Sequence, residues 1–180
     1  MQFDEAIKSY KKALAIKPDY TEAYYNMGIA LRNKGDIEAA IDSYKKALEI
    51  KPDYFEVYFN MGNILKDTGD FEAAINSYKK ALAIKPDYTE AYYNMGIAFS
   101  DKGDIEAAID SYKKALEIKP DHIKTYFKMG NILKDTGDFE AAIDSYKMVL
   151  KIKPDNVEAY NNMGITYSDK GDFEAAIDSY

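Results

Sequence analysis

Apolar residues recur at helical spacing along this chain, in pairs of segments that short polar turns separate. Residues 21–34 (TEAYYNMGIALRNK) place an apolar stripe on one face of a helix, and residues 37–50 (IEAAIDSYKKALEI) do the same. Gly35 lies between them as a helix stop, and Asp36 is placed to cap the second segment. Pro52 cannot continue that segment, and Asp53 is placed to cap the next one. The pattern predicts two antiparallel helices, which we call helix A and helix B. The expected apolar positions are Ala23, Tyr24, Met27, Ala30 and Leu31 in helix A, and Ile37, Ala40, Ile41, Tyr44, Ala47, Leu48 and Ile50 in helix B.

The same pair of segments repeats every 34 residues. The five prolines keep this interval, and the ten glycines form two series that keep it as well. A strict period of this length is typical of stacked helix–turn–helix units. A second period of 68 residues makes Ile29 and Ile97 alternate with Asn63 and Asn131. The predicted boundaries are one helix B of an incomplete repeat at 1–20, complete repeats at 21–54, 55–88, 89–122 and 123–156, and a truncated repeat at 157–180, all within one continuous domain 1–180.

These units resemble the tetratricopeptide repeat (TPR). The resemblance rests on the aromatic Tyr24, the Met27-Gly28 pair, the alanine Ala40 and the aromatic Tyr44, with their equivalents in the other units and the closing proline. It implies an all-α fold, a right-handed superhelical solenoid of antiparallel helix pairs in which helix A lines a concave groove. It also implies a non-catalytic protein–protein interaction scaffold that binds an extended peptide segment in that groove.

Two other functions stay open. The chain begins with a lone helix B and stops midway through another, so we expect a fragment of a longer array. Apolar stripes left uncovered at the two ends would permit head-to-tail self-association into oligomers or filaments, which is the first alternative. The second alternative is a substrate-recruiting segment of a larger transferase.

Composition narrows the function classes. A net charge of −7 and a pI near 4.8 argue against nucleic-acid binding, because such proteins need a basic face to displace counterions. The absence of cysteine excludes thiolate catalysis and thiolate zinc sites. No apolar run approaches the roughly 20 residues of a membrane span, so we expect no membrane contact and a cytoplasmic location. The single histidine, His122, falls in a turn where we expect it to be exposed, and the helix-B serines have no histidine partner. We therefore expect no enzyme activity, no metal and no cofactor.

The resemblance implies that helix-A positions not needed for packing face the groove and contact the ligand. Asparagine is useful there because its carboxamide offers donors and an acceptor to any extended backbone. Aromatic side chains offer stacking surfaces beside it. The predicted peptide-binding residues of these rows are Tyr25, Asn26, Phe59, Asn60, Asn63, Tyr93, Asn94, Phe127, Asn131 and Asn162.

Repeat 123–156 departs from the others by carrying extra lysines, which complete the predicted site. Lys124 stands where the other units have glutamate, and Lys128 stands where they have asparagine. Spaced by four, these two share one helix face, and Lys134 follows about two turns later. They resemble part of the dicarboxylate clamp by which some three-repeat TPR modules hold acidic C-termini. The matching positions are Asn63, Asn94, Lys124 and Lys128, with lysine in place of arginine at 128 and Phe59 in place of the clamp's remaining lysine. The pattern predicts protein or peptide partners with acidic or C-terminal carboxylate groups.

Overall fold

The structure is a computed structural model that describes residues 2–179. Regular structure within that range is entirely α-helical. The helices are α1 (Gln2–Ile16), α2 (Thr21–Lys34), α3 (Ile37–Ile50), α4 (Phe55–Asp67), α5 (Phe71–Ile84), α6 (Thr89–Lys102), α7 (Ile105–Ile118), α8 (Ile123–Asp135), α9 (Phe139–Ile152), α10 (Val157–Lys170) and α11 (Phe173–Ser179). The predicted all-α fold of helix pairs is confirmed. Met1, which begins the first predicted repeat, and Tyr180, which ends the last one, lie outside the described residues.

The helices B that follow α1 each begin at a capping aspartate, which confirms the prediction for Asp36. Asp36 Oδ1 accepts a hydrogen bond from the Ala39 amide at 3.4 Å. Gly35 ends α2 in the left-handed conformation with φ 92°, which only glycine adopts without strain. The prediction that Asp53 caps the next helix A is wrong. The capping position of α4 is Tyr54, whose side chain makes no capping hydrogen bond, because the turn places the aspartate one residue too early.

Packing divides the chain into two compact units, of which the first is Met1–Asp87. Its helices α1–α5 pack in chain order around a core in which Tyr44 and Ala40 have no exposed surface. Gly28 leaves room for the Tyr44 ring, since an added Cβ would lie 2.4 Å from its Cε1. Ile50, which the sequence pattern places on the apolar face of helix B, is 39 % exposed. It is the last residue of α3 and precedes a polar turn.

The second unit is Tyr88–Tyr180 and contains α6–α11. The helices pair as α6 with α7, α8 with α9 and α10 with α11. Tyr146 and Tyr112, both fully buried, each belong to an apolar cluster of this unit. The helices A of successive repeats, α8 and α10, also contact each other directly. This arrangement brings equivalent helix-A positions side by side on one surface.

Candidate functional site

Three adjoining cavities follow α6, α8 and α10 in the second unit. The first has a volume of about 260 Å³ and is lined in part by Tyr93, Lys124, Phe127, Lys128 and Glu158. The second, of about 420 Å³, shares Phe127 and Glu158 with the first. The third, of about 220 Å³, shares Lys128. Because neighbouring cavities share lining residues, we treat them as one surface, the α6–α8–α10 furrow. The predicted binding residues that line it are Tyr93, Lys124, Phe127, Lys128, Asn131 and Asn162.

Lys124 and Lys128 are the exposed cations of the furrow. Both side chains are exposed, and neither makes an ion pair or a hydrogen bond with any residue in the described range 2–179. Lys134 differs, because its Nζ lies 3.1 Å from Asp135 Oδ1 and it lines none of the three furrow cavities. Of the three predicted lysines, Lys124 and Lys128 therefore line the furrow and Lys134 does not.

The predicted aromatic positions pack against the helix-B tyrosines. The Phe127 ring centroid lies 5.9 Å from that of Tyr146, and the Tyr93 centroid lies 6.1 Å from that of Tyr112. In the first unit, the Tyr25 ring centroid lies 6.2 Å from that of Tyr44, and the Phe59 centroid lies 6.0 Å from that of Tyr78. Burial raises the pKa of the Tyr93 and Tyr25 hydroxyls. These rings are half-buried, so only part of each ring is exposed.

Much of the predicted asparagine row is engaged in hydrogen bonds within the protein. In the first unit, Asn60 Nδ2 donates to the Tyr25 hydroxyl at 3.1 Å and to the Glu56 carbonyl at 2.9 Å. In the second unit, Asn131 Oδ1 accepts from the Tyr146 hydroxyl at 2.8 Å and from Asn162 Nδ2 at 3.1 Å. These amides link helices to one another, and this part of their hydrogen-bonding capacity is not available to a peptide.

The remaining predicted residues are distributed over both units. Asn63 and Phe59 lie on α4 in the first unit, where Asn63 Oδ1 accepts a hydrogen bond from Tyr78 at 2.8 Å. Asn26 is half-buried on α2, and Asn94 is half-buried on α6. Of the clamp-like positions, Lys124 and Lys128 line one cavity, while Asn63 belongs to the other unit.

His122 is half-buried, so the expectation that it is exposed is wrong. Its ring stands edge-on to Tyr93 with centroids 5.4 Å apart, and its Nδ1 lies 2.6 Å from Thr125 Oγ1. Burial, together with the neighbouring charge of Lys119, lowers the pKa of His122 below its ordinary value. The histidine thus packs at the start of α8 beside Tyr93, one of the furrow's lining residues.

Comparisons with known protein families agree with the geometry. A family model described as TPR repeat matches residues 2–35, 30–69, 62–103 and 130–171. Two models described as tetratricopeptide repeat match residues 89–122 and 111–144. The chain belongs to the tetratricopeptide repeat family. The resemblance found in the sequence is confirmed, and TPR proteins of this kind are protein-interaction scaffolds.

Several solved TPR structures are similar to this one. A crystal structure of the MamA protein has a TM-score of 0.82 at 32% identity, covering 88% of this chain and 87% of that one. YrrB, described as a TPR protein with an unusual peptide-binding site, has a TM-score of 0.79 at 22% identity, with 96% and 89% covered. PilF of Pseudomonas aeruginosa has a TM-score of 0.80 at 17% identity, with 99% and 90% covered. The last two likenesses concern the fold alone. No curated protein matches this TPR chain.

Two kinds of feature are absent from residues 2–179. No helix there combines the length and the apolar character needed to cross a bilayer. No group of three or more His, Cys, Asp or Glu side chains in the same range is placed to hold a metal ion.

Sequence reasoning missed the acidic and hydroxyl groups of the furrow. Ser100, Asp101, Tyr112 and Asp135 line its third cavity, and Glu158 lines the first two. Ser100 and Asp101 could have been found by comparing repeats, because residues 99–102 (FSDK) replace the LRNK of the repeat at 21–54. That exchange removes one cation and adds one anion at equivalent positions of helix A.

Proposed function

We propose that this TPR chain is a non-catalytic scaffold whose second unit binds an extended peptide in the α6–α8–α10 furrow, with an acidic group of the peptide at Lys124 and Lys128. The observation that carries the proposal is that these two lysines are exposed and unpaired within the described range 2–179. Both are exposed on one face of α8, both line the same cavity, and neither has an anionic partner among the described residues.

Neighbouring charges restrict where the acidic group would bind. Glu158 of α10 lines the same cavity, and Glu90 of α6 stands at the position equivalent to Lys124. A carboxylate of the peptide is therefore favoured over α8 and disfavoured over the starts of α6 and α10. Phe127 of α8 lines the same cavity and offers apolar contact to a neighbouring side chain of the peptide.

The fold supports this assignment in general terms only. The likeness to MamA and the family models identify a TPR scaffold, and YrrB is a TPR protein described as having a peptide-binding site. The choice of furrow and of ligand charge comes from the residues of this chain. A bound peptide loses conformational freedom, so we expect modest affinity.

A matched pair of double variants tests the proposal. Lys124→Glu/Lys128→Asn introduces the residue types that the other repeats have at these positions, so the fold is expected to persist. The control Lys147→Glu/Lys151→Asn makes the same change of charge on exposed positions of α9, outside the three furrow cavities. The probe is a set of labelled short peptides that differ only in the number and position of aspartates, followed by fluorescence anisotropy at low and high salt.

The expected result is a loss of affinity confined to the α8 variant. Exposed ion pairs contribute about 0.2–1 kcal/mol each, so losing both should weaken aspartate-containing peptides about two- to thirtyfold. High salt should reduce the difference between wild type and variant. Equal affinities for the two double variants, or no dependence on peptide charge, would refute the acidic preference.

A further inference from the structure

The two units treat one pair of equivalent positions differently. In the first unit, Arg32 Nη2 donates to Asp67 Oδ2 at 2.9 Å and thereby joins α2 to α4. In the second unit, the position of Arg32 is occupied by Ser100, whereas the aspartate is retained as Asp135. The next residue along helix A is Asp101 in place of an asparagine. One unit thus has a guanidinium and a carboxylate at these positions, and the other has two carboxylates and no guanidinium.

A cavity of about 220 Å³ lies beside Ser100 in the second unit. Asp101, Asp135, Asn131 and Lys128 also line it. Asp135 Oδ1 is 3.1 Å from the ammonium of Lys134 on the same helix, and its side chain is 68 % exposed, so this pairing leaves the carboxylate accessible. Lys128 lies at the boundary with the first cavity and is ion-paired with no described residue. The cavity therefore combines accessible carboxylates with free volume.

A buried hydroxyl lines the same cavity. Tyr112 has no exposed surface, and its Oη finds no hydrogen-bond partner among the described residues. The equivalent tyrosine of the next repeat, Tyr146, bonds Asn131, but Ile97 stands where Tyr112 would need such an asparagine. An unsatisfied buried hydroxyl is uncommon, because losing its bonds to water costs free energy. This hydroxyl marks a position where a bound group with hydrogen-bond donors would be stabilised.

We propose that the cavity is a subsite for an arginine side chain of the bound partner, which would bond Asp135 as Arg32 bonds Asp67 in the first unit. The guanidinium would donate to Asp101 and Asp135, and the hydroxyls of Tyr112 and Ser100 would accept its remaining N–H groups. Where the arginine belongs to a peptide, the inference rests on the proposed function and extends it. The partner then carries an acidic group for Lys124 and Lys128 and an arginine farther along the furrow.

The first experiment uses a fragment, so that it does not depend on peptide binding. The isotope-labelled chain is titrated with N-acetyl-arginine amide and, separately, with N-acetyl-citrulline amide, a neutral molecule of nearly the same shape. We expect arginine to shift backbone amide signals around Ser100, Asp101 and Asp135, and citrulline to leave them in place. Equal shifts with both fragments, or no localised shift with arginine, would show a cavity that holds only water and would overturn the proposal.

Variants then separate filling of the cavity from general charge effects. Ser100→Arg should fill the subsite from within and abolish the arginine shifts, and it should fold because the repeat at 21–54 carries arginine at the same position. The matched variant Arg32→Ser should create an arginine response in the first unit, around Asp67. Lys128→Ala should strengthen the arginine response, since it removes a competing cation. Retention of the full arginine response in Ser100→Arg would contradict the assignment.

Peptides distinguish this inference from the proposed function. In a peptide that binds the furrow, replacing arginine by citrulline should weaken binding to the wild type about tenfold, a typical effect of a charge-assisted hydrogen bond, and should have little effect in Ser100→Arg. Peptide binding with no arginine dependence would overturn the subsite alone. Fragment binding without peptide binding would overturn the proposed function alone.

Discussion

Changing tyrosine to phenylalanine should affect stability in opposite directions at two pairs of helix-B tyrosines. The hydroxyls of Tyr78 and Tyr146 each donate to an asparagine oxygen at 2.8 Å. The hydroxyls of Tyr44 and Tyr112 are buried and have no partner among the described residues. All four side chains have no exposed surface, so changing tyrosine to phenylalanine removes one oxygen from a comparable environment in each case.

The expected free energies of unfolding follow from these contacts. Tyr78→Phe and Tyr146→Phe each lose one hydrogen bond of ordinary length, and we expect each to destabilise the chain by about 1 kcal/mol. Tyr44→Phe and Tyr112→Phe remove a hydroxyl whose burial without a partner costs about 1–3 kcal/mol, so we expect each to be neutral or to stabilise by about 1 kcal/mol. The two classes of variant should therefore differ by roughly 2 kcal/mol.

Urea unfolding followed by circular dichroism measures this difference. Repeat arrays can lose two-state behaviour, so the four variants are compared by their midpoints as well as by extrapolated free energies. Unequal slopes would show that the units unfold separately, and the comparison would then be made within each unit. Destabilisation of similar size in all four variants would refute the reasoning, because it would mean that each hydroxyl has a partner.

Four further predictions concern titration and packing. His122 should titrate below its ordinary pKa in a proton NMR pH series, and the stability it contributes should be complete above pH 6.5 and decline as the pH falls below it. Burial raises the pKa of Tyr44 and of Tyr146 to about 12, so the unfolded chain ionises first and stability should decline between about pH 10 and 12, as absorbance at 295 nm and circular dichroism would show. Gly28→Ala should destabilise by about 1–3 kcal/mol despite better helix propensity, because its Cβ would lie 2.4 Å from the Tyr44 ring, and chemical denaturation would measure the loss. Ala74→Leu should cost a similar amount by overpacking a position with no exposed surface, again measured by denaturant midpoint.

The sequence predicted the scaffold well because each part of the repeat meets a local physical requirement. Asp36 caps α3, Gly35 ends α2 in the left-handed region, and Tyr44 is buried against Gly28, all within one unit of sequence. Such requirements depend on residues close in the chain, and periodicity displays them repeatedly. The error at Asp53 is informative, since a Pro-Asp turn has the residue types of a cap but delays the helix by one position.

The candidate binding surface was harder to predict because polar side chains on one helix can form hydrogen bonds with the neighbouring helix. Asn60 is bound to Tyr25 on the preceding helix A, a contact between residues 35 positions apart. Asn131 is likewise shared between Tyr146 and Asn162. Sequence spacing predicts which face of a helix these amides lie on, but it does not show that the next repeat already takes their hydrogen bonds.

The proposed ligand contacts come from residues at which one repeat differs from its equivalents. The asparagine row recurs in most units, and neighbouring repeats already bond Asn60 and Asn162. Lys124 and Lys128 have no such neighbour among residues 2–179, because Glu158 at the start of α10 forms no ion pair with either lysine and Asn162, at the position equivalent to Lys128, is uncharged. Ser100 differs from its equivalent Arg32 in the opposite way, because it lacks the cation that Arg32 supplies in the first unit. Lys124 and Lys128 are cations without an anionic partner among the described residues, and Asp135 lacks the guanidinium partner that Asp67 has. Both differences leave charged side chains on the same surface accessible to a ligand. A ligand that pairs with both kinds of charge must carry an acidic and a basic group in fixed order, so reversing that order in a furrow-binding peptide should abolish the gain from the second group.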